Sequence, residues 1–141
     1  TAFQERMEGF RSVSGLAVVG YPAAVTAQGG VDGLRRALAD LGTLDAVVAF
    51  SDAPALGIVH ELRDTGMEKR IAVVAFDDNP VFALLDRALT CVETFPGRVG
   101  GAAAELLRKR MGEIRSEPEI VELVPELRIR SSTRNWKPAA E

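Results

Sequence analysis

Polar and acidic residues follow two apolar runs of this sequence and are its best candidates for ligand chemistry. Ser51-Asp52 comes directly after Ala46–Phe50, and Asp77-Asp78 comes directly after Ile71–Phe76. In an open parallel α/β sheet, ligands bind beyond the carboxyl ends of the strands. Carboxylates there can accept hydrogen bonds from sugar hydroxyls or from a base, and the phenylalanine ending each run could offer a ring face. The alternative is that these acids are helix caps and turn residues.

The remaining residues do not form a catalytic or metal-binding pattern. His60 is the single histidine and has no second histidine or cysteine at ligand spacing. It lies on the helix that Ser51 precedes, so it is badly placed to act as a base for Ser51. Asp77 and Asp78 diverge at a turn and do not make a glycosidase pair. The glycines of Gly97–Gly101 lie in a helical pattern, which favours helix packing over a phosphate loop. We therefore expect no catalytic residue, no metal and no cofactor.

Two kinds of segment alternate along the first half of the chain, as in βα units that feed a parallel sheet. The predicted strands are Leu16–Gly20, Ala46–Phe50 and Ile71–Phe76. The helices that follow the first two strands should end near Gly42 and Gly66, where glycine can adopt the left-handed conformation. Asp52 is predicted as the N-cap of the second helix, with Pro54 in its first turn.

The pattern changes after Phe76. A turn cluster at residues 77–80 leads to a short apolar strand, Leu89–Val92. A helix is predicted from about Pro96 to Met111, ending at Gly112. The segment Ile120–Ile129 alternates around Pro125, which predicts a strand with a central break at a sheet edge or at a crossing between two sheets.

Composition favours a single globular domain of 141 residues, 47 % hydrophobic and 26 % charged. The net charge of −3 and the one short basic run, Arg108-Lys109-Arg110, give no footprint for nucleic acid. Cys91 stands alone in an apolar stretch and reads as a buried hydrophobe in a reducing compartment, which favours the cytoplasm. There is no 18-residue apolar run, so we expect no membrane span. Thr1 opens directly into a helical pattern, which suggests a fragment.

Five segments, read in order, resemble landmarks of the LacI/GalR family of bacterial transcription regulators. They are RMEGF (Arg6–Phe10), AFSDAPALG (Ala49–Gly57), IAVVAFDD (Ile71–Asp78), LTCVE (Leu89–Glu93) and PELRIRSS (Pro125–Ser132). The resemblance implies a periplasmic-binding-protein type I architecture, a parallel-sheet α/β sandwich with two subdomains around an effector cleft. Residues 1–93 would then be the C-terminal subdomain, 94–124 a segment of the N-terminal subdomain, 125–133 a strand returning to the C-terminal subdomain, and 134–141 a tail.

The resemblance also implies which residues bind the effector. Arg6 looks like the arginine that clamps a sugar hydroxyl or a carboxylate, and Asp77 like the cleft aspartate that shares that ligand. Ser51 occupies a cleft position often held by a small polar residue. Phe76 at the rim and Thr94 at the crossover between subdomains are further candidates. Val25 stands near the place of an aromatic that stacks on sugars in many members, so the effector is a sugar-like or another small polar metabolite.

Dimer contacts in this family lie largely on the C-terminal subdomain. Here they would involve the helix Asp52–Thr65 and four apolar residues of the following loop, Val81, Phe82, Leu84 and Leu85. The alternative for these four residues is a place in the core.

The resemblance implies a ligand sensor that forms a homodimer and would contact operator DNA only through a helix-turn-helix domain, which does not precede Thr1. Ligand binding would change the angle between the subdomains and bias the DNA-binding heads of a repressor. Two alternatives share the fold class. A periplasmic sugar-binding protein of a transport system has the same architecture, and an α/β enzyme could use Asp77 as nucleophile or base.

Overall fold

The computed structural model describes residues 2–13, 15–112 and 118–134. Four α-helices are present in this part of the chain: α1 (Ala2–Arg11), α2 (Ala27–Leu41), α3 (Asp52–Asp64) and α4 (Pro96–Gly112). Its four strands are β1 (Ala46–Ala49), β2 (Ala72–Phe76), β3 (Thr90–Glu93) and β4 (Glu126–Arg128). A short 3-10 helix, Pro80–Ala83, follows β2.

The strands form one sheet in the order β1-β2-β3-β4. The pairs β1–β2 and β2–β3 are parallel, with Ala75 opposite both Ala49 and Cys91. The last pair, β3–β4, is antiparallel. The predicted parallel α/β sheet is confirmed, and its register brings the carboxyl ends of β1, β2 and β3 to the same edge.

The core lies between the sheet and helices α2 and α3. Sheet residues Val73, Ala75 and Cys91 are almost completely buried, and α3 presents Ala55 and Leu62 to them. Burial of such side chains stabilises the fold by about 1.5–3 kcal/mol for each large one. The apolar faces of α2 and α3 therefore bury Leu34, Ala55 and Leu62, while Leu41 at the end of α2 stays exposed.

Two glycines let α2 and α3 approach each other at backbone distance. A Cβ atom added to Gly57 would lie 1.9 Å from the carbonyl oxygen of Ala27, and one added to Gly30 would lie 2.1 Å from that of Pro54. Any side chain at either position would have to push the helices apart. Gly57, the last residue of the AFSDAPALG segment, is thus explained by packing.

Two strand predictions are wrong in part. Leu16–Gly20 is assigned to no strand, and the side chains of Leu16 and Val19 are more than half exposed, so the segment does not lie in the sheet core. Of Ile120–Ile129 only Glu126–Arg128 forms a strand. The strand begins directly after Pro125, because proline has no N–H to donate to a ladder.

Two further predictions need correction at the residue level. The N-cap of α3 is Ser51, not Asp52, and Ser51 makes no side-chain capping bond. Asp52 begins the helix, where its carboxylate accepts from the N–H of Ala53 and from the amide of Asn79. Phe82 is completely buried and belongs to the core, because the 3-10 helix turns its ring under the sheet, so it does not face a partner subunit.

Helix α4 differs from the other helices because it has no buried residue. Val99, Leu107 and Met111 are exposed by 49 %, 62 % and 77 %, and a Cβ added to Gly100 or Gly101 would meet nothing within 4 Å. The close packing expected at these glycines is therefore not seen within the described residues. None of the helices described is long and apolar enough to span a bilayer.

Candidate effector-binding site

The five predicted effector residues all lie at or beside the carboxyl edge of the sheet. Ser51 lies just beyond β1, Phe76 ends β2, Asp77 follows it, and Thr94 follows β3. Arg6 reaches the same edge from α1, because its guanidinium donates to the carbonyl of Phe50. All five are half-buried, as expected of residues that line an open cleft.

Asp77 is held in an unusual backbone conformation at this edge. Its φ of 63° is in the left-handed region, which aspartate tolerates better than most residues. Its N–H donates to the carbonyl of Val92, 2.9 Å away on the neighbouring strand. Its Oδ1 accepts a hydrogen bond from the hydroxyl of Thr94. The carboxylate is thus fixed on one side by the first residue after β3.

Arg6 is held by two contacts with the strand ends. Its Nη1 lies 3.0 Å from the carbonyl oxygen of Phe50, and its Cζ lies 3.9 Å from the ring centroid of Phe76. The second distance is short for a cation–π contact, for which about 6 Å is the usual limit. Arg6 is therefore a half-buried arginine fixed at the strand ends and not an exposed helix charge.

A cluster of four phenylalanines surrounds this arginine. Phe50 is its centre: the ring centroids of Phe3, Phe10 and Phe76 lie 5.2, 6.2 and 5.7 Å from the Phe50 centroid. The contacts with Phe3 and Phe76 are edge-to-face and the contact with Phe10 is stacked, both favoured aromatic geometries. The cluster ties α1 to the ends of β1 and β2.

Asp78 has a different partner set from its neighbour Asp77. Its carboxylate accepts two bonds of 2.8 Å from the guanidinium of Arg130 and one of 2.7 Å from Arg128. The Asp78 side chain is only 7 % exposed. The hydrogen bond from Arg130, more than any other contact, holds the pKa of the Asp78 carboxyl below its usual range. The two acids diverge as the sequence predicts, and Asp78 fastens the returning strand β4 to the end of β2.

The residues after β4 complete the attachment through a buried polar network. Ser132 donates its hydroxyl to the carbonyl of Val73 at 2.6 Å and accepts from the N–H of Thr90 at 2.8 Å. The hydroxyl of Thr90 contacts that of Thr133 at 2.7 Å and accepts from the N–H of Arg130. Within the described residues, every buried side-chain polar atom has a partner. The PELRIRSS segment is thus a docking segment for β2 and β3.

The crossover from β3 into α4 contains Phe95. Among the described residues other than glycine, only Asp77 and Phe95 have a positive φ. Phe95 has a φ of 54°, a conformation that costs about 1–3 kcal/mol unless its surroundings hold it. Its N–H donates to the Glu93 carboxylate at 2.8 Å, and its ring lies 4.8 and 5.9 Å from the guanidinium carbons of Arg98 and Arg128. Specific side-chain contacts therefore hold this crossover in place.

Sequence reasoning placed Asp78 at this edge but missed its partners Arg128 and Arg130, and it missed Phe95. One signal was available: Arg128 and Arg130 are two residues apart, so in a strand their side chains lie on one face and call for an acidic partner. Their separation of about 50 residues from Asp78 hides that partner in the sequence. For Phe95 the sequence carries no signal beyond its position before Pro96.

Cys91 and His60 behave as the sequence predicts. Cys91 is free and completely buried, and burial, with the neighbouring Asp78 as a smaller cause, raises the pKa of its thiol to about 11. A thiol that stays protonated is a poor nucleophile. His60 is exposed on α3 and lies 3.1 Å from Asp64. In the described part of the chain, no group of three or more metal-ligating side chains is close enough to hold an ion.

The three other loop residues predicted for a dimer surface, Val81, Leu84 and Leu85, differ in exposure. Leu84 is 82 % exposed and Val81 is 44 % exposed, so both side chains face outward. Leu85 is half-buried and packs against the core beside Phe82. An outward apolar surface therefore remains at Val81 and Leu84.

The fold and this edge define an α/β domain in which an arginine of α1 and an aspartate after β2 lie beside the strand ends. The chain belongs to the periplasmic binding protein-like domain family, which matches residues 1–133. The predicted resemblance to LacI/GalR-type regulators is confirmed by its relatives.

One relative is the HTH-type transcriptional regulator MalR of Streptomyces coelicolor, 37 % identical over 90 residues, which are 62 % of this chain and 26 % of MalR. A LacI family regulator of Arthrobacter sp. FB24, solved in complex with lactose, is 26 % identical with a TM-score of 0.76, covering 94 % of this chain and 49 % of its own. The transcriptional regulator CelR, solved with cellobiose, is 28 % identical with a TM-score of 0.76, covering 92 % and 40 %. The chain spans half or less of each of these proteins.

Proposed function

We propose that this chain is the ligand-sensing part of a LacI-type transcriptional repressor and that its effector is a small sugar-like or polar metabolite. The observation that carries the proposal is the convergence of the Arg6 guanidinium and the Asp77 carboxylate, both half-buried, at the carboxyl edge of one parallel sheet. A cation and an anion at one edge suit a ligand that presents both acceptors and donors, as a polyol does.

Ser51, Phe76 and Thr94 belong to the same proposed site. The relatives solved with lactose and with cellobiose support a sugar as the first ligand class to test. The relatives named above are regulators and not enzymes, which favours binding at Asp77 over catalysis. The relatives are regulators, which favours a cytoplasmic sensor over a transport protein.

The proposal includes a division of the chain into two subdomains. Residues up to about 93 and the returning segment 125–133 would form the first subdomain, and α4 with the segment up to 124 would contribute to the second. Support comes from the bare surface of α4 and from Ile120 and Val124, which are 85 % and 78 % exposed. Apolar side chains at this level of exposure need a cover, and the solved relatives are about twice as long as this chain.

A homodimer is the proposed assembly, with Val81 and Leu84 at its surface. DNA would be contacted through a helix-turn-helix domain outside this chain. Both statements rest on the regulator relatives and on the exposed apolar surface.

The test is a thermal-shift screen of the full-length protein against lactose, cellobiose, other sugars, nucleobases and small acids. A ligand that binds only the native state raises the melting temperature, by an amount that grows with concentration above its Kd. Arg6→Ala and Asp77→Ala should each lower the affinity for the ligand identified in the screen by about 100-fold. Each substitution removes a charge-assisted hydrogen bond and leaves a polar group of the ligand unpaired.

Arg36→Ala is the control, since Arg36 is an exposed arginine that donates to the Pro22 carbonyl away from the strand ends. Undiminished affinity in both Arg6→Ala and Asp77→Ala, measured by calorimetry, would remove the site from consideration. Turnover of a compound that Asp77→Asn binds but does not convert would replace the sensor with an enzyme.

A further inference from the structure

The ring of Phe76 contacts the guanidinium of Arg6, and this contact bears on whether Phe76 can stack on a ligand. The guanidinium carbon lies 3.9 Å from the ring centroid of Phe76, and the Phe50 ring meets Phe76 at 5.7 Å and 85°. One face of Phe76 is therefore covered by the cation of this chain. A ring covered in this way is a poor platform for a sugar.

The same contact restricts Arg6. A free arginine side chain loses about 2 kcal/mol of rotamer entropy when it is immobilised. Here the rotamer entropy is lost on folding, because Nη1 donates to the Phe50 carbonyl at 3.0 Å and Cζ lies 3.9 Å from the ring centroid of Phe76. The bond to Phe50 engages one of the five N–H donors of the group. A ligand then meets an arginine whose orientation is already set.

From this geometry we infer that Phe76 is a positioning residue, which raises ligand affinity through Arg6 and not by stacking on the ligand. The inference rests on the proposed function for the ligand, but the held state of Arg6 exists without one. It also specifies the ligand chemistry. The remaining N–H donors of the held guanidinium suit a ligand that presents acceptor oxygens, as neighbouring hydroxyls or a carboxylate do.

The experiment compares Phe76→Leu, which removes the ring, with Phe76→Tyr, which keeps the ring face. Phe82→Leu is the matched control, because Phe82 is a completely buried phenylalanine of the core and its loss reports general destabilisation. The first readout needs no ligand. Protons of the Arg6 guanidinium lie over an aromatic face, so their NMR signals should be shifted upfield by the ring current.

We expect the upfield shift of the Arg6 Nε–H signal to disappear in Phe76→Leu and to persist in Phe76→Tyr and Phe82→Leu. A shift that survives in Phe76→Leu, or that Phe76→Tyr also loses, overturns the positioning role. These outcomes do not depend on which compound binds, so they separate the inference from the proposed function.

The second readout is the affinity for lactose and cellobiose by calorimetry on the full-length protein. Phe76→Leu should weaken binding about tenfold, in line with a partly desolvated cation–π contact. In an Arg6→Met background, the same Phe76→Leu change should have no further effect, since the group it positions is gone. An equal loss in both backgrounds would show direct stacking and overturn the inference. If neither sugar binds the wild-type protein while the NMR pattern holds, the ligand class is wrong and the positioning of Arg6 stands.

Discussion

The hydroxyl of Thr94 donates to Oδ1 of Asp77, so the carboxylate proposed to receive the ligand is oriented by a residue of the crossover into α4. In the proposed site, Thr94 would therefore act on the ligand through Asp77. The resemblance implies a direct ligand contact for Thr94, and that role stays a prediction.

Replacing Thr94 by valine tests this orientation with little change of shape. Thr94→Val should lower the affinity for the effector identified in the ligand screen by about tenfold, because a hydrogen bond to a charged group contributes about 1.5–3 kcal/mol. Thr94→Ser should keep most of the affinity. Thr65→Val is the matched control, since Thr65 donates its hydroxyl to a helix carbonyl at the end of α3. Equal affinities of the valine and serine variants would contradict the orienting role.

At the scale of elements, the helices and the three parallel strands follow from the sequence because local patterns determine them. The apolar spacing in α2 and α3 accounts for the burial of Leu34 and Leu62, and Gly42 and Gly66 near the helix ends have positive φ angles of 73° and 69°. Leu16–Gly20 has the composition of a strand but lies outside the sheet. Composition does not specify a pairing partner, which is why this prediction is wrong.

The attachment of β4 is the element-level feature that the sequence hides. Its strand is three residues long, and its partners are Asp78, Val73 and Thr90, all about 40 to 60 residues away. Such contacts leave no periodic trace. The PELRIRSS pattern locates the segment in the sequence, but its contacts with Asp78, Val73 and Thr90 are seen only in the structure.

Ser132 is the residue of this segment whose loss should matter most. Ser132→Ala leaves the N–H of Thr90 and the carbonyl of Val73 buried without their partner, which should lower the free energy of unfolding by about 2–3 kcal/mol. Ser131→Ala is the adjacent control, because Ser131 is exposed and its hydroxyl lies 3.3 Å from its acceptor. Urea denaturation measures both variants. A Ser132→Ala loss no larger than that of Ser131→Ala would show that the network is not holding β4.

For the whole molecule, the lowered pKa of Asp78 links stability to pH. The folded-state pKa is below the unfolded value of about 3.9, so the ion pairs contribute fully above that value and are lost as the pH falls through the folded pKa. Asp78→Asn should be less stable than wild type at pH 7 by about 3 kcal/mol, because Arg130 loses its buried partner.

The difference between Asp78→Asn and wild type should begin to shrink as the pH falls below about 4, where the carboxyl of the unfolded chain takes up a proton, and should disappear as the pH falls through the lower folded-state pKa. Urea denaturation between pH 2 and 7 measures it. Arg130→Gln reaches the same result by a second route, because it removes the donor that lowers the pKa of Asp78. Stability curves of Asp78→Asn and wild type that stay parallel across this range would contradict the assignment.

The exposed apolar surface at Val81 and Leu84 carries a prediction about assembly. Leu84→Glu places a charge on a side chain that is 82 % exposed in the single chain, so the monomer fold should be unchanged while a dimer that buries this surface dissociates. Sedimentation of the full-length protein measures the mass. Leu41→Glu, at the exposed end of α2, is the control. An unchanged dimer in Leu84→Glu would place the interface elsewhere.

Asp77 and Asp78 are neighbours in the chain, yet one is bonded to the residue where the chain leaves the sheet toward α4 and the other to the strand by which it returns. The outgoing and the returning segments are thus both anchored to one peptide unit at the tip of β2. A ligand that bound Asp77 would therefore contact the residue next to the one that forms the ion pairs with Arg128 and Arg130. In the proposed site, a substitution of the first acid would change a ligand contact, while the second acid keeps the two chain crossings side by side.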